Sequence, residues 1–169
     1  MRGFIVVGCM LFPGLAIPQS HAPYAGQHER EIKALSAAEM RDYLDGKGMG
    51  YAKAAELNHY PGPAHALELA SELGLTAEQR AAVRRLKDAH HAEAKALGAK
   101  RVESERALEA LFRSSSIAQA DLAAAVSRAA ALEGEYRLSH LETHRRTRAL
   151  LTGEQVARYD SLRGYSAKR

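Results

Sequence analysis

A five-residue pattern, Leu-Thr-x-x-Gln, occurs twice in this chain of 169 residues. In each copy the Thr hydroxyl can accept from the backbone N–H of the Gln, and the Gln side chain can accept from the N–H of the Thr. This capping box satisfies N–H groups that the start of a helix leaves unpaired. The pattern therefore predicts two helix starts, one before a long helix and one before a short terminal helix. The residues of the two copies are Leu75, Thr76 and Gln79, and Leu151, Thr152 and Gln155.

Two long stretches without proline lie between the copies. Apolar residues follow spacings of three and four from Thr76 to about Phe112, and again from about Ala118 to Leu150, which predicts two long helices with a heptad-like, coiled-coil seam. The short serine turn at 113–116 forces them to lie antiparallel. Each helix spans roughly 50 Å at about 1.5 Å per residue. So thin a hairpin cannot cover both of its apolar faces by itself. The uncovered area could be buried by a second copy of the chain or by a client protein.

Composition places the chain in the all-α class. Alanine is abundant, Trp is absent, and runs of strand-forming residues are missing after residue 17. The formal charge is +4, but both signs are interspersed and no basic cluster alternates with aromatics, so we expect no nucleic-acid partner. No nucleophile elbow, phosphate loop or dinucleotide fingerprint is present, and no pair of carboxylates stands out. We therefore expect a protein that is not an enzyme.

Residues 1–25 have the layout of a secretory signal peptide. Arg2 precedes an apolar run that is short for a membrane span, and the only cysteine, Cys9, lies inside it. Cleavage after Ala16, Ala22 or Ala25 fits the small residues at those points. An uncleaved anchor, which would be the only membrane contact, and a lipoprotein signal at Cys9 are the alternatives. Export predicts a mature chain without thiol chemistry in an oxidising compartment.

The segments around the hairpin are shorter and less regular. Residues 26–48 have sparse apolar positions and predict a flexible or weakly helical arm, which a Gly-rich joint at 46–50 ends. Short helices are expected at 51–58 and 64–73, separated by the Pro-Gly-Pro turn at 61–63, with Gly74 as a left-handed cap. The last helix is expected at 154–163, and residues 166–169 form a basic tail. The helical domain is expected to occupy residues 49–165.

Two Leu-Thr-x-x-Gln elements around one helical hairpin, behind an export leader, resemble the Spy/CpxP family of periplasmic proteins. The resemblance covers about residues 49–165. It implies ATP-independent chaperones that form cradle-shaped dimers and hold unfolded or misfolded envelope proteins during envelope stress. It also brings in metal-responsive relatives on the same fold, which bind zinc or sense heavy metals. A sensor kinase or an anti-sigma factor is the kind of signalling partner that such a role needs.

The first long helix carries the candidate client-binding residues. Basic side chains could form a rim that attracts acidic unfolded chains, and apolar ones could supply contact area. The alternative is that each of these side chains is ordinary hairpin core. The candidates are Arg84, Arg85, Leu86, Leu97, Arg101, Leu108 and Phe112.

Four histidines raise a second hypothesis, a metal site. In a hairpin turning near Ser115, residues whose numbers sum to about 230 face each other, which pairs His90 with His140. Two or three imidazoles with a carboxylate would suit zinc, copper or nickel, although the alternative is surface or seam histidines without metal. We expect no cofactor other than such a divalent ion. The candidates are His90, His91, His140 and His144.

Overall fold

The computed structural model describes residues 23–166, in which helices follow one another without a strand. The α-helices are α1 Ala37–Leu44, α2 Lys53–Glu56, α3 Pro63–Glu68, α4 Ala77–Phe112, α5 Gln119–Leu150 and α6 Gly153–Arg163, after a 3-10 turn at Gln27–Glu29. The two longest, α4 and α5, pack together along their length as an antiparallel pair. The prediction of an all-α chain built on a long hairpin is confirmed.

Capping boxes begin three of these helices. Gln79 N–H donates to Thr76 Oγ1 at 3.1 Å and Thr76 N–H donates to Gln79 Oε1 at 3.0 Å, which starts α4 as predicted. The second motif starts α6 in the same way, with distances of 2.9 and 3.2 Å. The sequence reasoning overlooked a third capping box, in which Ser36 and Glu39 start α1.

The two long helices face each other in the predicted register, in which the numbers of facing residues sum to about 230. His90 meets His140, and Ala94 and Tyr136 are buried in the same core cluster. The turn itself is polar and exposed, with Ser114 Oγ donating to the carbonyl of Leu111 at 2.7 Å. The register therefore decides which side chains of the two long helices can act together.

One hydrophobic core lies at the base of the hairpin, where α3, α6 and the start of α4 meet. Leu151 and Val156, which lie on either side of the second capping box, are both buried in this cluster, as in a hydrophobic staple. At the matching position of the first motif, Arg80 instead donates to the carbonyl of Leu75 at 3.2 Å. Gly74 has a φ of +61°, the left-handed conformation that its place after α3 predicts. The cluster comprises Ala66, Ala70, Leu73, Leu75, Val83, Leu151, Val156 and Tyr159.

A second core lies midway along the hairpin and corrects the expectation for the arm at 26–48. This segment is not a loose appendage: Ile32, Leu35 and Tyr43 are at most 6% exposed and pack on the hairpin. The sparse apolar positions of this segment predicted little packing, because tyrosine is not an apolar residue by its pattern alone. In the fold the Tyr43 side chain is buried in this core. The 3-10 turn and α1 thus belong to the folded body.

Gly98 makes the docking of α1 possible. A Cβ atom at this position would lie 1.8 Å from the carbonyl oxygen of Tyr43, so only a residue without a side chain allows the two backbones to approach so closely. A glycine inside a helix is destabilising by itself. Here Gly98 is the contact point between α1 and α4.

The two short helices are shorter than predicted. The Pro-Gly-Pro turn is buried between them, and His59 takes a φ of +68° just before it. After Glu68 the chain continues in turns until Gly74. No helix within residues 23–166 is both long enough and apolar enough to span a bilayer. Residues 1–22 of the predicted leader and 167–169 of the basic tail lie outside the described residues.

Candidate functional site

The two motifs meet at the base of the hairpin. Gln79 Nε2 donates to Gln155 Oε1 at 2.9 Å, and Gln155 Nε2 donates to Gln79 Oε1 at 3.0 Å, so the two side-chain amides pair reciprocally. Gln79 Nε2 also lies 2.9 Å from the carbonyl of Leu150, the last residue of α5. Each Gln therefore caps its own helix and joins it to the other. This arrangement leaves the motif residues in a structural role.

The predicted histidine pair lies in the seam of the hairpin. His90 Nε2 and His140 Nδ1 are 3.0 Å apart and share one hydrogen bond, and His140 is 5% exposed. The two outer nitrogens, His90 Nδ1 and His140 Nε2, are buried and have no hydrogen-bond partner among the described residues. Tyr136 packs against His140 with ring centroids 4.8 Å apart.

Burial controls the charge of this pair. It lowers the pKa of His90 to about 4, with smaller contributions from His144 and His91. It lowers the pKa of His140 to about 4 as well, with further lowering by His90 and His144. Both imidazoles are therefore neutral near pH 7. Neutral imidazole is the form that can bind a metal or accept a proton.

The other two candidate histidines do not join the pair. His91 is exposed on α4. The Nδ1 atom of His144 lies 2.8 Å from the carbonyl of Tyr60, which fixes the ring on the Pro-Gly-Pro turn. Within residues 23–166 no three His, Cys, Asp or Glu side chains converge on a point where a metal ion could be held.

Glu56, which the sequence reasoning did not single out, is the centre of a polar cluster. It accepts hydrogen bonds from the hydroxyl of Tyr159 and from the N–H of Gly62 at 3.1 Å. His65 and His144 lie 3.6 and 3.4 Å from its carboxylate. Burial and the contact with Glu56 raise the pKa of Tyr159, so its hydroxyl remains a donor. Nothing in the sequence around Glu56 indicates this cluster, because its members come from four separate elements.

Asp160 extends the same region. Its Oδ2 atom lies 2.7 Å from His59 Nδ1, while its buried Oδ1 atom has no partner among the described residues. Together with Glu56, it ties the segment before α3 to α6. Both carboxylates are held by side chains of this chain, so the cluster stabilises the base of the fold.

The candidate client-binding residues divide into accessible and inaccessible side chains. Phe112 is 63% exposed, and Arg84 and Arg85 are exposed on α4. Leu97 and Leu108 are half-buried. Leu86 is only 6% exposed and belongs mainly to the core.

Arg101 requires a correction. It is 8% exposed, it is paired with Glu105, and its guanidinium lies 5.8 Å from the ring centre of Tyr43. Docking of α1 covers this position, so Arg101 belongs to the buried contact between arm and hairpin. It is not part of an accessible basic rim.

Two exposed apolar side chains are not among the predicted client contacts. Both are more exposed than most of the predicted apolar contacts. Val126 is 50% exposed and Leu138 is 64% exposed, both on α5. With Phe112, these residues give the hairpin a set of exposed apolar side chains.

The fold and its two paired caps define a class of all-helical hairpin proteins in which Leu-Thr-x-x-Gln motifs close the base. A family model described as LTXXQ motif family protein matches residues 64–163, and the chain belongs to this family, the family of Spy/CpxP-like proteins. This family is chaperone-like and non-enzymatic. No curated protein and no solved structure matches the chain significantly.

Proposed function

We propose that this protein is an exported, ATP-independent holding chaperone that binds unfolded or misfolded proteins in the bacterial periplasm. The observation that carries the proposal is the exposure of Phe112, Val126 and Leu138 on the two long helices. These side chains leave apolar area on the hairpin that can contact the apolar segments of an unfolded chain. Membership of the LTXXQ family supports the same role. A binding surface of this kind needs no catalytic group, and we propose no enzymatic activity.

Charge on the same helices supports capture of unfolded chains. Arg84 and Arg85 are exposed near the base of α4, where they would attract acidic segments and speed encounter. We also propose that the chain forms a homodimer, which would cover part of the hairpin and leave the rest for a client. A sensor kinase or an anti-sigma factor is the proposed signalling partner, through which client load would report envelope stress.

The test is suppression of aggregation of a chemically denatured client by a stoichiometric amount of this protein, without ATP. The double variant Phe112→Ser/Leu138→Ser should lose most of the suppression and keep its helical circular dichroism. Leu57→Ser is the matched control, because Leu57 is 53% exposed but lies at the end of α2 and not on either long helix. Aggregation that the native protein leaves unaltered, or equal effects of the two sets of substitutions, would contradict the proposal.

A second candidate function, a metal-responsive sensor or buffer, rests on the pair His90 and His140. Their two outer nitrogens are buried without partners, which is costly unless something else is bound there. Neutral imidazole suits zinc, copper or nickel. Because the inner nitrogens face each other, the two outer nitrogens point apart, and each could supply only one of the four ligands of a tetrahedral ion; the others would have to come from water or from a partner. The fit of the residues is therefore partial.

Zinc titration of the native protein, followed by melting temperature, tests this second function. The double variant His140→Ala/His144→Ala should remove any rise in melting temperature that zinc causes, whereas His28→Ala should not, because His28 is exposed on the 3-10 turn at the start of the arm. A native protein whose melting temperature is the same with zinc and with a chelator would end the metal hypothesis.

A further inference from the structure

A groove of about 540 Å³ lies between α4 and α5 near the base of the hairpin; we call it the base groove. Its floor is apolar and includes Leu86, Ala89 and Leu150. Three arginines, Arg85, Arg145 and Arg146, form its rim, and no acidic side chain lines it. This volume is within the range of sites that bind small molecules, which are largely apolar with a few polar groups for orientation.

The charge of the rim is only partly neutralised by the chain itself, through Glu142, which lies near both Arg145 and Arg146. Arg145 is paired with Glu142, but Arg85 and Arg146 are exposed and form no ion pair with any residue from 23 to 166. Arginines from both long helices therefore leave two guanidinium groups available at one groove. Their planar fork matches the two oxygens of a carboxylate.

The next groove along the same face has the opposite character. It encloses about 270 Å³ and is lined by Glu93, Glu135 and Glu142, with Arg146 as the only basic side chain. The charge on this face of the hairpin thus changes from negative at its middle to positive at its base. An anion is favoured at the base groove and disfavoured at its neighbour.

The walls of the base groove favour an alkyl chain over a peptide. Both walls are side chains of regular helices, whose backbone N–H and C=O groups are satisfied inside α4 and α5. A peptide backbone laid on this floor would lose its hydrogen bonds to water and gain none, which costs free energy, whereas a hydrocarbon tail has no such groups. From Ala82 to Ala89 the floor extends about 10 Å along α4.

We propose that the base groove binds the anion of a single-chain fatty acid. Its tail lies on the floor of Leu86, Ala89 and Leu150, and its carboxylate is held by Arg85 and Arg146. This site shares Arg85 with the basic residues proposed for client capture, but it includes none of the exposed apolar residues proposed for client contact. Phe112→Ser/Leu138→Ser should therefore leave ligand binding unchanged, which distinguishes failure of the chaperone proposal from failure of this one.

Isothermal titration of the full chain with decanoate, below its micellar concentration at neutral pH, tests the site. Decanoate should bind saturably at one site per chain, while acetate, which has the headgroup alone, and 1-decanol, which has the tail alone, should bind far more weakly. The double variant Arg85→Gln/Arg146→Gln should raise the Kd for decanoate by about tenfold or more, because two charge-assisted hydrogen bonds are lost.

The control removes the same charge from elsewhere. Arg84→Gln/Arg137→Gln changes two exposed arginines that do not line the base groove and should leave the Kd unchanged. Ala89→Trp fills the floor and should abolish binding without a change in helical circular dichroism. Binding that does not saturate, equal binding of 1-decanol, or equal effects of the two arginine pairs would overturn the proposal. So would a dimer that excludes decanoate and dissociates in Arg85→Gln/Arg146→Gln, since the groove would then hold a second copy.

Discussion

The side-chain amides of Gln79 and Gln155 face each other at the base of the hairpin and exchange two hydrogen bonds, of 2.9 and 3.0 Å. The two residues are far apart in sequence, yet each is the third residue of its own helix and completes its own capping box. The repeated pattern is thus more than two independent helix starts. Each glutamine oxygen accepts from its Thr N–H and from the other glutamine, so the two helix starts are joined.

This pairing predicts coupled effects of substitution. Gln79→Ala and Gln155→Ala should each cost about 1–3 kcal/mol of unfolding free energy, because each leaves the other half-buried amide without its partner. The double variant should cost clearly less than the sum, since the second substitution removes a group that has already lost its partner. Urea unfolding followed by circular dichroism measures all three. Gln119→Ala, at the exposed first residue of α5, is the control and should be nearly neutral. Strict additivity would show that the amide pair is energetically unimportant.

The threonines of the same motifs should act locally. Thr76→Ala or Thr152→Ala removes an acceptor for one N–H group at a helix start and should cost about 1 kcal/mol. Suppression of client aggregation should be unchanged at temperatures where the variants are fully folded. Loss of that activity in a fully folded variant would show that the motif contacts clients directly.

Gly98 and Gly134 offer a matched pair of substitutions on the two long helices. Gly98→Ala should destabilise the protein by about 2 kcal/mol or more, because the new Cβ would collide with the carbonyl oxygen of Tyr43 and push α1 away. Gly134→Ala should stabilise it by about 0.5–1 kcal/mol, since nothing lies within 4 Å and alanine is the better helix former. Urea unfolding gives both values. Limited proteolysis between α1 and α2 should be faster in Gly98→Ala and unchanged in Gly134→Ala. Equal stability and equal cleavage rates in the two variants would contradict the docking role of Gly98.

Helix bounds could be predicted well from the sequence, whereas the positions of the buried polar residues could not. The bounds of α4, α5 and α6 follow from capping residues and a serine turn, which are local signals. Spacings of three and four along α4 pass through Glu93 and Lys100, yet both are exposed, and Arg101 and Glu105 are buried instead. The difference arises because α1 covers α4 around Gly98, a contact between distant parts of the chain.

In the candidate site, too, contacts set by the two long helices could be predicted from the sequence, and contacts set by the packing of short segments could not. The contact of His90 with His140 could be predicted because it depends only on the hairpin register. The position of His144 could not, because its hydrogen bond to the carbonyl of Tyr60 depends on how the Pro-Gly-Pro turn folds back on α5. Glu56 was missed for the same reason. Its partners are brought together by the packing of short segments that carry no regular pattern.

The buried histidine pair predicts a stability that falls in mild acid. The folded-state pKa of about 4 for His90 and His140 lies below the ordinary value of 6.5, so the unfolded chain binds protons first as the pH falls. The stabilisation is fully present above about pH 6.5 and is lost progressively between about pH 6.5 and 4, at up to about 1.4 kcal/mol per pH unit for each histidine.

Urea unfolding at intervals from pH 7.5 to 4.5 measures this slope. His140→Gln should flatten it, because one of the two groups no longer titrates, and His91→Gln should not, because His91 is exposed. The pKa values of carboxylates such as Glu39 and Glu142 are lowered in the fold, so their stabilisation is lost only as the pH approaches 4.5, and the slope is compared above about pH 5.5. A native protein equally stable at pH 7 and pH 5 would contradict the buried, neutral state of the pair.

The ion pair of Arg101 and Glu105 predicts a large effect of single substitution and a small effect of the double one. Both residues are 8% exposed, so Arg101→Met would leave a buried carboxylate without its cation and should cost about 3–5 kcal/mol. Arg101→Met/Glu105→Met removes both charges and should recover most of that loss, because apolar side chains of similar volume can replace a buried pair. Arg106→Met is the matched control on the same helix: its ion pairs with Glu31 and Glu103 are exposed and screened by solvent, so this substitution should destabilise the protein far less than Arg101→Met. Unfolding in urea gives each value. If the double variant is as unstable as Arg101→Met alone, Arg101 contributes through packing against Tyr43 and not through its charge.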